Sequence, residues 1–369
     1  MKFGILTFHS ALNIGAQLQA FALYSKLKSL GYTIEFINYT PKYLKTPYTF
    51  FRNSHLKNGI FSVIKQGILH LYFDTFTWIR TQIHYKKFRH KYFVISKETY
   101  KTPQELAQSE YDGFIVGSDQ IWNPEITNKK IDEMYTLHFN NSNKLKIAYA
   151  ASFSEKHITP QQTNTLISRI KDFNHLSVRE ENLAIFLKKQ SNLQIDVVLD
   201  PTLLLNKQEW LKYIPSKPLV KKPYILIYQA RGPQSALLSQ VSPLAKKINA
   251  QIINASGMNY RIKHNGMQYV NPLEFLNLVL YAELIVTVSF HGTALSIILE
   301  KSFYSINLND GRDSRVISLL KAVNLENRLK SINDTLELQN IDYTNITNKL
   351  NELRNKSIKY LKKLPQLRL

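Results

Sequence analysis

Cysteine is absent from this 369-residue chain, which excludes disulfide staples, thiolate metal sites and a cysteine nucleophile. A disulfide-built secreted scaffold is therefore excluded, and a reducing cytoplasm is the default expectation. Long hydrophobic runs are also missing. No window offers the roughly eighteen uninterrupted apolar residues of a membrane-spanning helix. The opening apolar run, Phe3 to Phe8, is too short for a signal peptide and meets polar His9, Ser10 and Asn13 at once. Repeats of solenoid period and low-complexity tracts are absent. Acidic residues are scarce: 27 Asp and Glu face 48 Lys and Arg, for a formal charge of +21 and a pI near 9.7. That imbalance points to a polyanionic partner, whether nucleic acid, an anionic membrane surface or a phosphorylated substrate.

Where the charge lies narrows the choice. Between residues 42 and 101, nine Lys and three Arg face only Asp74 and Glu98. Phe50, Phe51, Ile60, Phe61, Ile64, Ile68, Leu69, Leu71, Tyr72, Phe73, Phe76, Trp78 and Ile79 are interleaved with them. This is the composition of an amphipathic interfacial segment, which would hold the protein at the inner face of a membrane. The alternative is a helical insertion docking its apolar face on its own domain. No nucleic-acid-binding motif accompanies the charge, which weighs against a nucleic-acid partner.

At 44% hydrophobic and 20% charged residues the chain is an ordinary globular one, and its length exceeds what one core organises, so two domains are expected. Strand and helix patterns alternate. A strand over 4–8, a polar loop over 9–16, a helix over 17–30 stopped by Gly31 and a strand over 32–39 predict a right-handed parallel β–α–β unit. Its loop lacks the G-x-G-x-x-G fingerprint, which argues against a nicotinamide cofactor. A further strand is predicted over 111–117, a strand and loop over 146–153 and a strand-to-helix turn over 176–181, and residues 195–204 end the first half. Pro215, Pro218 and Pro223 mark residues 206–223 as a linker. The alternation restarts at Tyr224, with strands over 224–228, 251–255, 284–288 and 303–307. The expected organisation is an N-terminal domain over 1–205 carrying the basic insertion and the acceptor side. A C-terminal domain over 224–343 carries the donor side, and a basic helix over 344–369 follows. The fold class is α/β, with two Rossmann-like domains facing a cleft, an arrangement that resembles GT-B sugar-transferring enzymes.

Candidate site residues sit where strands end. Leu284 to Val288 reads as a buried strand and Thr293 to Leu299 as a helix, so Ser289, Phe290, His291 and Gly292 form the turn between them. Ligands of open α/β sheets bind at such turns, and helix-start amides favour an anion there. A histidine there can exchange a proton near neutral pH; the structural alternative is a histidine packed in a tight turn. Ser118, Asp119, Gln120, Trp122 and Asn123 end the strand over 111–117. Polar groups for hydroxyls and an indole face for a sugar ring suit a saccharide acceptor; the alternative is a capped turn with Trp122 in the core. Arg179 follows another strand, where its guanidinium can hold a carboxylate or phosphate or pair with Glu180 or Glu181. Asn13 and Gly15 lie where the first helix meets the cleft, and Arg231 lies in the loop after the strand over 224–228.

Several stretches together resemble the polysaccharide pyruvyl transferase family: NIGAQLQAFALYSKLKSLGYTIEFINY at 13–39, YDGFIVGSDQIWNP at 111–124, SVREENLAIFL at 177–187, DPTLLL at 200–205, VSFHGTALSIILEKSFYSIN at 288–307 and SRVISLLKAVNLENRL at 314–329. The resemblance implies transfer of the enolpyruvyl group of phosphoenolpyruvate to two hydroxyls of a nucleotide- or lipid-linked sugar, forming a pyruvate ketal during surface-polysaccharide assembly. It implies His291 as the general acid. Arg179 would hold the donor with Ser289, Phe290, Gly292, Thr293 and Arg231, and no cofactor or metal is implied. One position departs from the pattern: family members often carry arginine two residues before the histidine, and Ser289 stands there. Arg231, Arg261, Lys263, Arg312 and Arg315 are cations in neighbouring loops. Two other readings stand beside this one. The first is a GT-B glycosyltransferase using a nucleotide sugar, with Glu300 placed for a ribose. The second is a non-enzymatic basic module for a membrane surface or nucleic acid.

Overall fold

The computed structural model describes residues 1–45, 79–140, 142–229, 234–255, 270–309 and 313–364. Most of the apolar residues interleaved in the basic segment, together with Arg231, Arg261, Lys263 and Arg312, lie outside the described residues.

Two parallel sheets form the architecture. The first contains β1 (Lys2–Leu6), β2 (Thr33–Asn38), β3 (Ile95–Thr99), β4 (Gly113–Val116), β5 (Leu145–Ala151), β6 (His175–Val178) and β7 (Asp196–Val197), ordered β3-β2-β1-β4-β5-β6-β7. The second contains β8 (Tyr224–Tyr228), β9 (Gln251–Asn254), β10 (Leu284–Thr287), β11 (Phe303–Asn307) and β12 (Leu329–Ser331), ordered β12-β11-β10-β8-β9. Strand order reverses between β1 and β4 in one sheet and between β8 and β10 in the other. Those are the positions where a crevice opens beyond the strands' carboxyl ends. Near-continuous apolar runs such as Ile225, Leu226 and Ile227 are buried because helices cover both faces.

The first long helix, Ile14–Ser29, starts at Asn13, whose side chain accepts from the Ala16 amide at 3.0 Å. Nearly all of it is buried, because it packs on its own sheet and against the helix Pro272–Tyr281 of the second lobe. The proline-rich connection begins with a helical turn, Lys207–Leu211. Trp210 is fully buried there and donates to the Thr202 carbonyl at 3.1 Å. The last helix, Thr344–Lys362, runs back onto the first lobe. Its Arg354 donates to the Leu203 carbonyl (2.8 Å), and Tyr360 donates to the Ala148 carbonyl (2.8 Å) while stacking on His175. At its start the N-cap Tyr343 donates to the Lys301 carbonyl of the second lobe (2.6 Å), so this helix straps both lobes.

The basic segment ends earlier than its composition suggests. Residues 79–92 are helical, with Tyr85 and Phe88 buried in the main core and Phe88 packed 6.0 Å from Phe21. Residues 95–99 are the edge strand β3. Ile79, from the interfacial set, is 44% exposed. Among the described residues no helix is long and apolar enough to cross a membrane.

Candidate active site

His291 enters the cleft from the second lobe. Its helix, Phe290–Ile298, starts one residue after the N-cap Ser289, so His291 lies in the first helical turn rather than in a loop before it. Ser289 accepts from the Gly292 amide through its hydroxyl (3.4 Å), and its carbonyl accepts from the Thr293 amide (3.0 Å) and hydroxyl (3.1 Å). Thr293 also meets Ser305 at 2.7 Å. Gly292 is required by space: a methyl there would stand 2.2 Å from the Thr287 hydroxyl.

The imidazole is gripped by the first lobe. A Cβ on Gly15 would lie 2.1 Å from His291 Nδ1, so only glycine lets the ring rest on the start of the Ile14–Ser29 helix. The other nitrogen, Nε2, stands 3.8 Å from Asp200 Oδ2. It is buried and has no hydrogen-bond partner. Two helix amino termini therefore meet at one histidine. Each contributes first-turn amides and the positive end of its dipole, the arrangement that holds phosphates and carboxylates.

Behind the ring lies a buried charged cluster. The Arg179 side chain is 3% exposed and all three of its nitrogens are engaged. Nε donates to Glu180 (2.9 Å), Nη1 to Asp200 Oδ2 (2.6 Å) and Nη2 to the Ser152 hydroxyl (3.2 Å). Ser152 in turn donates to Glu180 at 2.8 Å. A register shift between β5 and β6, where Ala150 takes φ 50°, delivers Ser152 to this place. Asp200 also accepts from the Thr202 amide (2.9 Å) and hydroxyl (2.7 Å) and from Ser118 (3.3 Å). The Arg179 guanidinium stacks 4.3 Å from the Phe290 ring, tying the cluster to the second lobe.

The electrostatics follow from this geometry. Burial works against charge on Arg179, but Glu180, Asp200 and Asp119 outweigh it and keep the guanidinium protonated. Burial also opposes the Asp200 carboxylate, yet Arg179, His291 and Thr202 hold its pKa below the ordinary value. His291 goes the other way: burial lowers its pKa, Asp200 and Asp119 offset this in part, and Arg179 and Arg315 add to the lowering. The free site therefore holds a neutral imidazole that an incoming anion would help to protonate.

The predicted residues divide clearly. His291, Ser289, Phe290, Gly292, Gly15, Ser118 and Arg179 converge. Asn13 is spent on capping its helix. Asp119 is half-buried with φ 71°, and its carboxylate accepts from the Gln120 amide (2.9 Å). The Asn123 and Gln120 side-chain amides meet at 2.8 Å, and with its amide turned over Gln120 accepts from Arg315 of the second lobe at 2.9 Å. Trp122 must be corrected as a sugar platform. It is 1% exposed, its indole nitrogen donates to the Tyr135 carbonyl (2.9 Å), and its ring edge meets Phe173. Arg179, expected to grip a donor directly, is saturated by its own lobe. The alternative expected for Arg179, a pairing with Glu180, is the one present (2.9 Å); Asp200 and Ser152 were not predicted as site residues, although the Asp-Pro-Thr signature at 200–202 was the available signal for Asp200. Among the described residues no group of three or more His, Asp or Glu is arranged to hold a metal.

Two Rossmann-like lobes with paired strand-end clusters define a GT-B-like α/β protein. The fold matches a Listeria monocytogenes protein assigned as a UDP-N-acetylglucosamine 2-epimerase. The TM-score is 0.50 at 10% identity, over 98% of this chain and 90% of that one. The UDP-GlcNAc 2-epimerase of Methanocaldococcus jannaschii gives 0.48 at 12% identity, covering 96% and 93%. The glycosyltransferase SnogD of Streptomyces nogalater gives 0.44 at 9% identity over the whole of both chains. No curated protein matches this chain. The family model for polysaccharide pyruvyl transferase matches residues 13–310, and the chain belongs to that family of transferases.

Proposed function

We propose that this protein transfers the enolpyruvyl group of phosphoenolpyruvate to two hydroxyls of a sugar in a surface-polysaccharide precursor. The observation that carries the reading is the buried His291 imidazole between two helix amino termini, with Nδ1 over Gly15 and Nε2 without a hydrogen-bond partner. Phosphoenolpyruvate brings two anionic groups and one carbon that must be protonated. The helix-start amides suit the anions, and their charge raises the proton affinity of the imidazole beside them. His291 then delivers a proton to the methylene carbon, making it a methyl group and leaving an oxocarbenium-like centre at the adjacent carbon. One sugar hydroxyl attacks that centre and the second displaces phosphate. Both hydroxyl protons are released, and the product is a cyclic ketal plus inorganic phosphate. Asp200 steadies the imidazolium from behind, and Arg179 keeps Asp200 ionised and in place.

The GT-B fold also suits a glycosyltransferase that uses a nucleotide sugar, for which Glu300 is the residue nominated to hold a ribose. Glu300 follows the far end of the nine-residue helix Phe290–Ile298, about 13 Å from its start, and pairs with Lys207 at 2.7 Å. Incubation with phosphoenolpyruvate and a panel of sugar acceptors, with phosphate release and acceptor mass both followed, separates the two. Phosphate released in step with an acceptor gaining one pyruvyl ketal is the expected result. Nucleoside diphosphate released from a nucleotide sugar, with phosphoenolpyruvate untouched, would establish the glycosyltransferase instead.

A further inference from the structure

A cavity of about 840 Å³ lies on the outer carboxyl edge of the first sheet. That is the size of a small-molecule site rather than of a packing defect. Tyr39, just past β2, and Tyr43, in the helical turn Lys42–Lys45, line it. Both hydroxyls donate to Asp132 Oδ2, at 2.8 and 2.5 Å, and Asp132 Oδ1 accepts from the Met134 amide at 2.8 Å. All three bonds hold the carboxylate, which fixes two partly buried rings in place.

The rim is cationic. Lys101, Lys129 and Lys130 are exposed around the cavity. Asn128 and Lys129 take successive left-handed conformations, φ 58° and 61°. The loop backbone is clamped: the Lys129 amide donates to the Pro124 carbonyl (2.7 Å), and Gln162 donates to the Lys129 carbonyl (2.8 Å). The main chain is fixed while the ammonium groups are presented outward. Arg169, by contrast, is committed to Glu133 (2.9 Å) and the Ile131 carbonyl (2.7 Å). The same loop reaches the reaction centre. The Thr127 hydroxyl donates to the Asn123 carbonyl (3.0 Å), and the Asn123 side chain meets that of Gln120, which turned over accepts from Arg315.

We propose that this groove binds a phosphorylated saccharide, the sugar lying on Tyr39 and Tyr43 and the phosphate meeting Lys101, Lys129 and Lys130. Tyrosine faces supply the apolar platform that buried Trp122 cannot offer, and ammonium groups supply charge-assisted contacts to phosphate. The inference rests on the pyruvyl-transfer reading for its role as acceptor site. Nucleotide-linked and lipid-linked sugars share the recognised chemistry.

The test is calorimetric binding to the full chain without phosphoenolpyruvate, using a hexose 1-phosphate, a nucleoside-diphosphate hexose and a polyprenyl-diphosphate hexose in detergent, with methyl hexoside as the uncharged control. Lys129→Ala/Lys130→Ala, at exposed positions, should weaken the phosphorylated ligands about tenfold and leave methyl hexoside unchanged. Tyr39→Ala, checked for an unchanged circular dichroism spectrum, should weaken all of them. The tighter of the nucleotide and lipid forms identifies the source. Parent-like binding by the double variant, or no saturable binding of any phosphorylated probe, overturns the site. If the probes bind as expected while phosphoenolpyruvate is never consumed, the groove stands and the transfer reading falls. If phosphoenolpyruvate turns over and the groove variants behave like the parent, the reverse holds.

Discussion

Arg179 and Asp200, from the first lobe, have every polar side-chain atom engaged, by Glu180, Ser152, Ser118, Thr202 and each other. His291, from the second lobe, is about as deeply buried, yet one ring nitrogen has no partner. The contrast separates two jobs. The saturated Arg179–Asp200 pair cannot exchange partners cheaply, so it serves as a fixed electrostatic wall, while Glu180 Oε2 beside it is buried without a partner. The His291 imidazole, with one ring nitrogen left without a hydrogen bond, is the ionisable group of the site free to respond to a ligand. The two jobs come from different lobes, and Gly15 brings them together, because nothing larger would let the ring rest on the first helix.

Breaking the free side of this contrast should give the largest effect. His291→Ala is expected to lower the rate of pyruvyl transfer at least about 100-fold with the fold intact, as read by steady-state phosphate release and circular dichroism. Breaking the saturated side should instead act on stability. Arg179→Ala strands two buried carboxylates and should cost roughly 3–5 kcal/mol in urea unfolding; a loss confined to donor affinity would mean the guanidinium contacts the donor after all.

Another histidine sharpens the point that burial sets proton affinity here. His9, stacked on Phe36 and bonded to the Thr7 carbonyl, has its pKa lowered to about 4, first by burial and also by Arg89, against that hydrogen bond. Its folded value is below its unfolded one, so the stability it contributes is present above about pH 6.5 and is lost as pH falls through about 4. The loss should amount to roughly 3 kcal/mol. Urea titrations across that range should show this acid limb, and His9→Asn should flatten it. The smallest effect belongs to Ser289→Ala, which removes a 3.4 Å cap bond and should cost about 1 kcal/mol in thermal unfolding.

How far the sequence reached follows the same physics. Both sheets were legible because their central strands are continuous β-branched and aliphatic runs. Edge strand β3, Ile-Ser-Lys-Glu-Thr, has a single buried residue and passed as the end of a charged insertion. The three-residue β12 left no pattern. His291 stood out through its position between strand and helix. Asp200 did not, because an acid's value as a buried partner depends on contacts made across 21 and 91 residues of chain. Trp122 misled for the opposite reason: polar neighbours in sequence suggest an open ring, while its indole nitrogen is satisfied inside the core.

The protonation of one imidazole tests the whole arrangement most directly. With side-chain ¹⁵N-labelled histidine, the His291 resonance should report a neutral ring near pH 7 in the free protein. Adding phosphoenolpyruvate should move its titration upward, because an anion about 4 Å away stabilises the charged form by about 4 kcal/mol at an effective dielectric of 20. A His291 titration that stays where it was when the donor is bound and consumed would contradict the assignment.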